Sequence, residues 1–120
     1  METSYNLIKQ ERAEQMEKHG FSLKIDSIYN KNGELLQAAL FCKEQAFIKL
    51  FGNKQELIKW PDFWSKHFES KIRSKSAIDQ LVVCGAFYLA EFDRTKNKLY
   101  HERYIDISNL IDILLSLWKK

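Results

Sequence analysis

Apolar residues recur along the chain at intervals of three and four residues, which is the pattern of amphipathic α-helices. The first predicted helix covers residues 4–19, with Ser4 as its N-cap and Gly20 as the residue that ends it. The second covers residues 33–51 and ends at Gly52, a residue type that readily adopts the left-handed conformation of a helix C-terminus.

A third long helix is predicted to begin after Ser76 and to run to about Lys96. Asp79 follows Ser76 by three residues, as in a capping box. A last helix is predicted at about residues 107–118, where apolar residues occur almost all round the helix. This helix is either buried by the rest of the chain or forms an interface with another copy.

Two stretches between these helices carry weaker patterns. Residues 20–32 form a polar connector. Residues 53–75 hold short helical pieces: "KQELIKW" forms a turn or two, and a second piece opens at Pro61. The pattern therefore predicts an all-α fold with three long helices, a short helical insert and a hydrophobic C-terminal helix.

The composition fits a single helical domain over residues 1–120. The chain is 45% hydrophobic and 29% charged, and it has one proline and four glycines, which favours long helices over a turn-rich β protein. Cys42 and Cys84 lie in apolar helical runs, which predicts buried, reduced thiols and a cytoplasmic protein. No apolar run is long enough for a membrane span. The net charge of +3 is too weak to favour a nucleic-acid partner.

Basic and aromatic residues precede the third helix. A helix N-terminus favours anions, and cationic side chains beside it reinforce this preference. Flat aromatic rings next to such a site would stack on a nucleotide base. We therefore interpret this region as a site for a small anionic ligand, a nucleotide or a nucleotide-derived signal, although packed core aromatics and a solvated rim of lysines remain the alternative. The predicted ligand-binding residues are Trp60, Trp64, Lys71, Arg73, Lys75 and Glu91.

Glu91 belongs to this set because its carboxylate projects among apolar residues, where a buried charge needs a partner. Either a ligand or a structural ion pair with Arg12 or Arg94 would provide one. Glu34, Asp79 and Glu91 together suggest an alternative Mg²⁺ site, but Glu34 and Asp79 also fit the first turns of helices, where carboxylates are favourable.

Four segments, taken in order, resemble a family of small bacteriophage and prophage proteins. They are "ERAEQMEKHGF" (11–21), "NGELLQAALFC" (32–42), "WPDFW" (60–64) and "AIDQLVVCGAFYLAEFDR" (77–94). The family pattern has a His-Asp-Asp cluster where this chain has Lys24, Ile25 and Asp26. The resemblance implies a helical fold and an origin in a mobile element, for which sequestration of a host defence signal would be a natural role.

The composition is also similar to that of all-α MazG-type pyrophosphohydrolases, which cleave nucleoside triphosphates and hold Mg²⁺ with acidic pairs on facing helices. The acidic spacing typical of those enzymes is missing, because Glu91 and Asp93 are separated by one residue. The leading prediction is thus a non-enzymatic binding protein without a cofactor that forms a homo-oligomer. A Mg²⁺-dependent nucleotide pyrophosphohydrolase is one alternative, and a protein-interaction module acting through the C-terminal helix is another.

Overall fold

The structure, a computed structural model, describes residues 2–18, 33–52, 55–62 and 64–118. The predicted connector 20–32, with Gly20 and Asn32, lies outside the described residues. Phe63 also lies outside them.

Five α-helices make up most of the described part of the chain. They are α1 (Glu2–Lys18), α2 (Glu34–Phe51), α3 (Lys66–Ser74), α4 (Ala77–Thr95) and α5 (Lys98–Trp118). The described residues contain no strand, so the prediction of an all-α fold is confirmed.

Helix α4 lies at the centre and contacts α1, α2 and α5. Its side chains are buried on nearly every side from Ala77 to Glu91. Helix α2 runs antiparallel to α4, because Lys49 near its C-terminus donates a hydrogen bond to the carbonyl of Lys75, just before α4 begins. Since α4 is covered on several sides, it is the central helix around which α1, α2 and α5 pack.

Helix α5 returns antiparallel to α4 after a tight connection. Lys96 adopts a left-handed conformation with φ of 57°, and its N–H donates to the carbonyl of Phe92. The side-chain oxygen of Asn97 then accepts a hydrogen bond from the N–H of Leu99 at 3.0 Å. An Asn at this place satisfies a backbone donor in the first turn of the new helix, and α5 therefore begins nine residues earlier than predicted.

Helix α1 lies against both α4 and α5. Ser4 is fully buried inside α1, and its hydroxyl hydrogen-bonds that of Ser108 in α5 at 2.6 Å. The prediction that Ser4 caps this helix is therefore wrong. A small hydroxyl at this position allows the two helices to approach, and each hydroxyl satisfies the other.

The predicted helical turn at "KQELIKW" is also absent from its described residues, because 55–60 have no helical structure. Polar side chains of α2 hold this segment instead. The carboxylate of Glu44 accepts hydrogen bonds from the N–H groups of Leu57 and Ile58, and Gln37 donates to the carbonyl of Lys59 at 2.8 Å. The helical piece expected to open at Pro61 instead begins at Lys66, where the Ser65 hydroxyl accepts the N–H of Phe68.

None of the described helices combines the length and the apolar character that crossing a bilayer requires.

Candidate functional site

Trp60 and Trp64 lie in the hydrophobic core. Their exposed fractions are 3% and 8%. The ring of Trp60 makes edge contacts with Phe41, Trp64 and Phe68 at centroid distances of 5.2–5.4 Å, and its Nε1 donates to the carbonyl of Ser65. Aromatic neighbours therefore surround the indole, although Trp60 is also among the residues that line a surface groove.

The basic residues before α4 belong to the end of α3. Lys71 and Arg73 lie in its last turn, and Lys75 is its C-cap. Cationic groups are favourable there because the C-terminus of a helix carries a partial negative charge. In addition, Ser76 caps α4 by accepting the N–H of Asp79 at 3.2 Å. The concentration of positive charge is thus explained by the end of α3, and the start of α4 already has Ser76 as its cap.

Arg73 connects three parts of the fold. Its guanidinium donates to Glu56 at 2.7 Å and to Glu69 at 3.0 Å, and it lies over the ring of Phe41 at 5.0 Å from the centroid. The hydrogen bond from Arg73, followed by one from Gln45, lowers the pKa of Glu56 below its ordinary value. Arg73 therefore ties the segment 55–60 to α3.

A surface groove opens between this segment and α3, with a volume of about 240 Å³. We call it the Arg73 groove. Its charged side chains are three cations and three carboxylates, and Trp60 forms part of its wall. The lining residues are Glu56, Ile58, Lys59, Trp60, Asp62, Lys66, Glu69 and Arg73.

Of the six predicted ligand-binding residues, the structure brings Trp60 and Arg73 together in this groove. Trp64 lies in the core, while Lys71 and Lys75 do not line the groove. Glu91 lies near the other end of α4, 14 residues after Ala77, which at about 1.5 Å per residue places it roughly 21 Å along the axis from the start of the helix. The predicted set does not form one site.

Sequence reasoning missed the other charged residues of the groove. Glu69 and Arg73 are four residues apart on α3, a spacing that indicates an ion pair on a helix. No comparable signal exists for Glu56, because it meets Arg73 through the tertiary fold, 17 residues away in sequence.

Glu91 forms a structural ion pair, which was one of the two alternatives that the sequence allowed. Its carboxylate is 1% exposed and accepts a hydrogen bond from Nε of Arg94 at 2.6 Å. Arg12, the other predicted partner, lies 3.6 Å from Asp93 instead. The pKa of Arg94 is raised chiefly by its hydrogen bond to Glu91 and least by the charge of Glu34, so Glu34 at the start of α2 lies towards the same end of the bundle.

This polar cluster is closed to ligands as it stands. Arg12, Glu34 and Glu91 are each at most 7% exposed, and the amide of Gln15 is fully buried and makes no hydrogen bond with a residue that the structure describes. The Arg12–Asp93 pair links α1 to α4, and the Glu91–Arg94 pair lies within α4, so these charges serve the packing of the bundle.

The alternative Mg²⁺ site lacks the required geometry. Glu34 and Glu91 lie near the same end of the bundle, whereas Asp79 is 12 residues before Glu91, roughly 18 Å away along α4. A Mg²⁺ ion binds its oxygen ligands at about 2.0–2.1 Å, so these three carboxylates cannot share one ion. Among the described residues, no group of three or more His, Cys, Asp or Glu side chains is placed to hold a metal.

The two cysteines are buried and unbridged, as the sequence predicted. Burial raises the pKa of both thiols far above the ordinary value, which disfavours the reactive thiolate. Nucleophilic catalysis by Cys42 or Cys84 therefore has no support in this fold.

The chain was compared with protein-family models, with curated proteins and with solved structures. None of the three comparisons found a match.

Proposed function

We propose that this protein is a non-enzymatic accessory protein that binds a small anionic ligand, a nucleotide or nucleotide-derived signal, in the Arg73 groove. The observation that supports this most is the convergence of three cationic side chains, Lys59, Lys66 and Arg73, on one groove beside Trp60. Arginine suits such a role because its planar guanidinium binds phosphate through two parallel hydrogen bonds.

On binding, the ligand replaces one of the two carboxylates that pair with Arg73. Glu56 is 44% exposed and belongs to a segment without helical structure, whereas Glu69 is 18% exposed and sits on α3. A phosphate therefore replaces Glu56 at the guanidinium more readily than it replaces Glu69. The groove loses one repulsive carboxylate in this exchange, which favours the anion.

The biological setting in this proposal comes from the sequence resemblance alone. A phage or prophage accessory protein that binds a nucleotide-derived signal would remove that signal from a host defence response. The groove contributes only the site at which such sequestration would occur.

Isothermal titration with a panel of mono-, di- and cyclic nucleotides tests the proposal. We expect Arg73→Ala to weaken binding at least about tenfold, because it removes a charge-assisted hydrogen bond pair. Lys71→Ala is the matched control, since Lys71 is exposed, lies on the same helix and does not line the groove. Lys66→Ala gives a second groove variant with little effect on the fold, because its side chain is 71% exposed. Absence of binding to every nucleotide, or equal losses in the Arg73 and Lys71 variants, would remove the proposal.

A second proposal concerns assembly through α5. Ile113 and Leu117 are each 57% exposed and lie four residues apart, so they form an apolar ridge on the outer side of this helix. We propose that the ridge contacts another copy of the chain or a partner protein. Analytical ultracentrifugation of the wild type and of an Ile113→Glu/Leu117→Glu variant tests self-association. A monomeric wild type at high concentration would contradict the homo-oligomer.

A further inference from the structure

The charged side chains that line the Arg73 groove differ in whether they pair with a neighbour. Arg73 is shared between Glu56 and Glu69, and the amine of Lys66 lies 3.6 Å from Glu69. These four side chains form one connected network. A ligand that binds to any of them has to compete with an existing partner.

Lys59 and Asp62 are different. Both line the groove and are exposed, and the side chain of neither makes a hydrogen bond or ion pair with a residue that the structure describes. They flank Trp60 and Pro61 in the sequence, and both of these residues are buried. The groove thus contains one cation and one carboxylate that pair with no described residue, and they lie on either side of the buried Trp60 and Pro61 in the sequence.

A purely anionic ligand would use Lys59 but would be repelled by Asp62. A ligand that carries an anionic group together with hydroxyl or amino donors would use both. The adjacent hydroxyls of a ribose suit this purpose, because a carboxylate accepts hydrogen bonds from ribose hydroxyls in nucleotide sites of other folds. The volume of about 240 Å³ is below the range of roughly 300–1,000 Å³ that is typical of ligand pockets, which favours a mononucleotide.

We propose that the Arg73 groove selects ribonucleoside monophosphates over their deoxy forms, with Asp62 as the residue that determines this specificity. The phosphate contacts Arg73 and Lys59, and the ribose hydroxyls donate to the carboxylate of Asp62. This inference rests on the proposed function, and it adds the sugar as the recognised group.

The test compares adenosine 5′-monophosphate with its 2′-deoxy form in titrations of the full chain followed by NMR chemical shifts. For the wild type we expect the ribonucleotide to bind about tenfold more tightly, the size expected for loss of a hydrogen bond to a charged acceptor. Asp62→Asn should lower that ratio, because a neutral amide oxygen accepts the ribose hydroxyls more weakly than a carboxylate, and should leave the affinity for the deoxynucleotide unchanged or slightly increased. Asp106→Asn is the matched control, because Asp106 is an exposed carboxylate on α5 that does not line the groove.

The possible outcomes separate the two proposals. Equal affinity of the wild type for both nucleotides overturns the sugar preference and leaves the proposed function standing. Binding of neither nucleotide overturns the sugar preference, whereas the proposed function falls only if no nucleotide of the full panel binds. A preference of unchanged size in Asp62→Asn overturns the role of Asp62. Circular dichroism of each variant establishes that its helices are intact, and because Asp62 is exposed we expect no change.

Discussion

Gly85 sets how closely α1 approaches α4. A Cβ atom at this position would lie 2.7 Å from Cδ1 of Ile8 and 3.0 Å from its Cγ1. Glycine in the middle of a helix lowers the stability of the fold by about 0.5–1 kcal/mol relative to alanine, so Gly85 is unfavourable for the helix itself. In return, Ile8 is fully buried against α4.

We therefore expect Gly85→Ala to destabilise the fold by about 1 kcal/mol, because overpacking of about 1–3 kcal/mol outweighs the gain in helix propensity. Urea unfolding measures this change. Ile8→Val in the same chain removes Cδ1, so Gly85→Ala should cost less in the Ile8→Val background than in the wild type. A stabilising effect of Gly85→Ala alone would contradict the close contact.

The role of the aromatic residues could not be predicted at the scale of single residues. The sequence could not separate a stacking platform from a packed core, because tryptophan serves both purposes. The fold places Trp60 among Phe41, Trp64 and Phe68, and Trp60 also lines the groove. For the cysteines the same apolar context was sufficient, since burial is the common state of a thiol in a helical core.

At the scale of elements, helix ends with a local signal were predicted correctly. Gly52 adopts φ of 73° at the end of α2, and Ser76 caps α4. The segment 55–60 was missed because its conformation depends on α2: the four residues from Glu56 to Lys59 run along α2 from Gln45 to Gln37. A nearly extended chain covers that helical length of about 12 Å in three or four residues.

Glu44 is the main anchor of this segment, and its removal should release the segment locally. In Glu44→Gln we expect the amides of Leu57 and Ile58 to exchange with deuterium about tenfold faster or more, because a neutral amide accepts these hydrogen bonds more weakly than a carboxylate. Hydrogen exchange followed by NMR measures this.

Glu102→Gln provides the control for Glu44→Gln, since Glu102 is exposed on α5. Unchanged protection of both amides in Glu44→Gln would show that other contacts hold the segment.

At the scale of the whole molecule, the bridge from Arg73 to Glu56 makes stability depend on pH. The pKa of Glu56 is lowered in the folded state, chiefly by its hydrogen bond from Arg73. The folded state therefore binds the proton of Glu56 less readily than the unfolded state does. The stabilisation is present above the ordinary pKa of 4.5 and is lost as the pH falls through the lowered value.

We expect the wild type to exceed Glu56→Gln in unfolding free energy by at most about 1 kcal/mol at pH 7, since both partners of this pair are partly exposed. The difference should shrink as the pH is lowered from 5 towards 3, as measured by urea unfolding at each pH. A difference that stays constant over this interval would exclude the ionised Glu56 as its source.

The sequence by itself determined the helical fold, most ends of α2 and α4, and the state of the two thiols. These properties depend on residues a few positions apart, through hydrogen bonds and side-chain spacing within one helix. The tertiary structure alone decided that Ser4 meets Ser108, that Arg94 rather than Arg12 pairs with Glu91, and that Glu56 reaches Arg73. Which of the possible partners meet follows from how the separate segments pack, because the same local sequence would allow several of these contacts. The candidate groove was likewise decided by the tertiary structure, because its walls come from separate segments that only the packed bundle brings together.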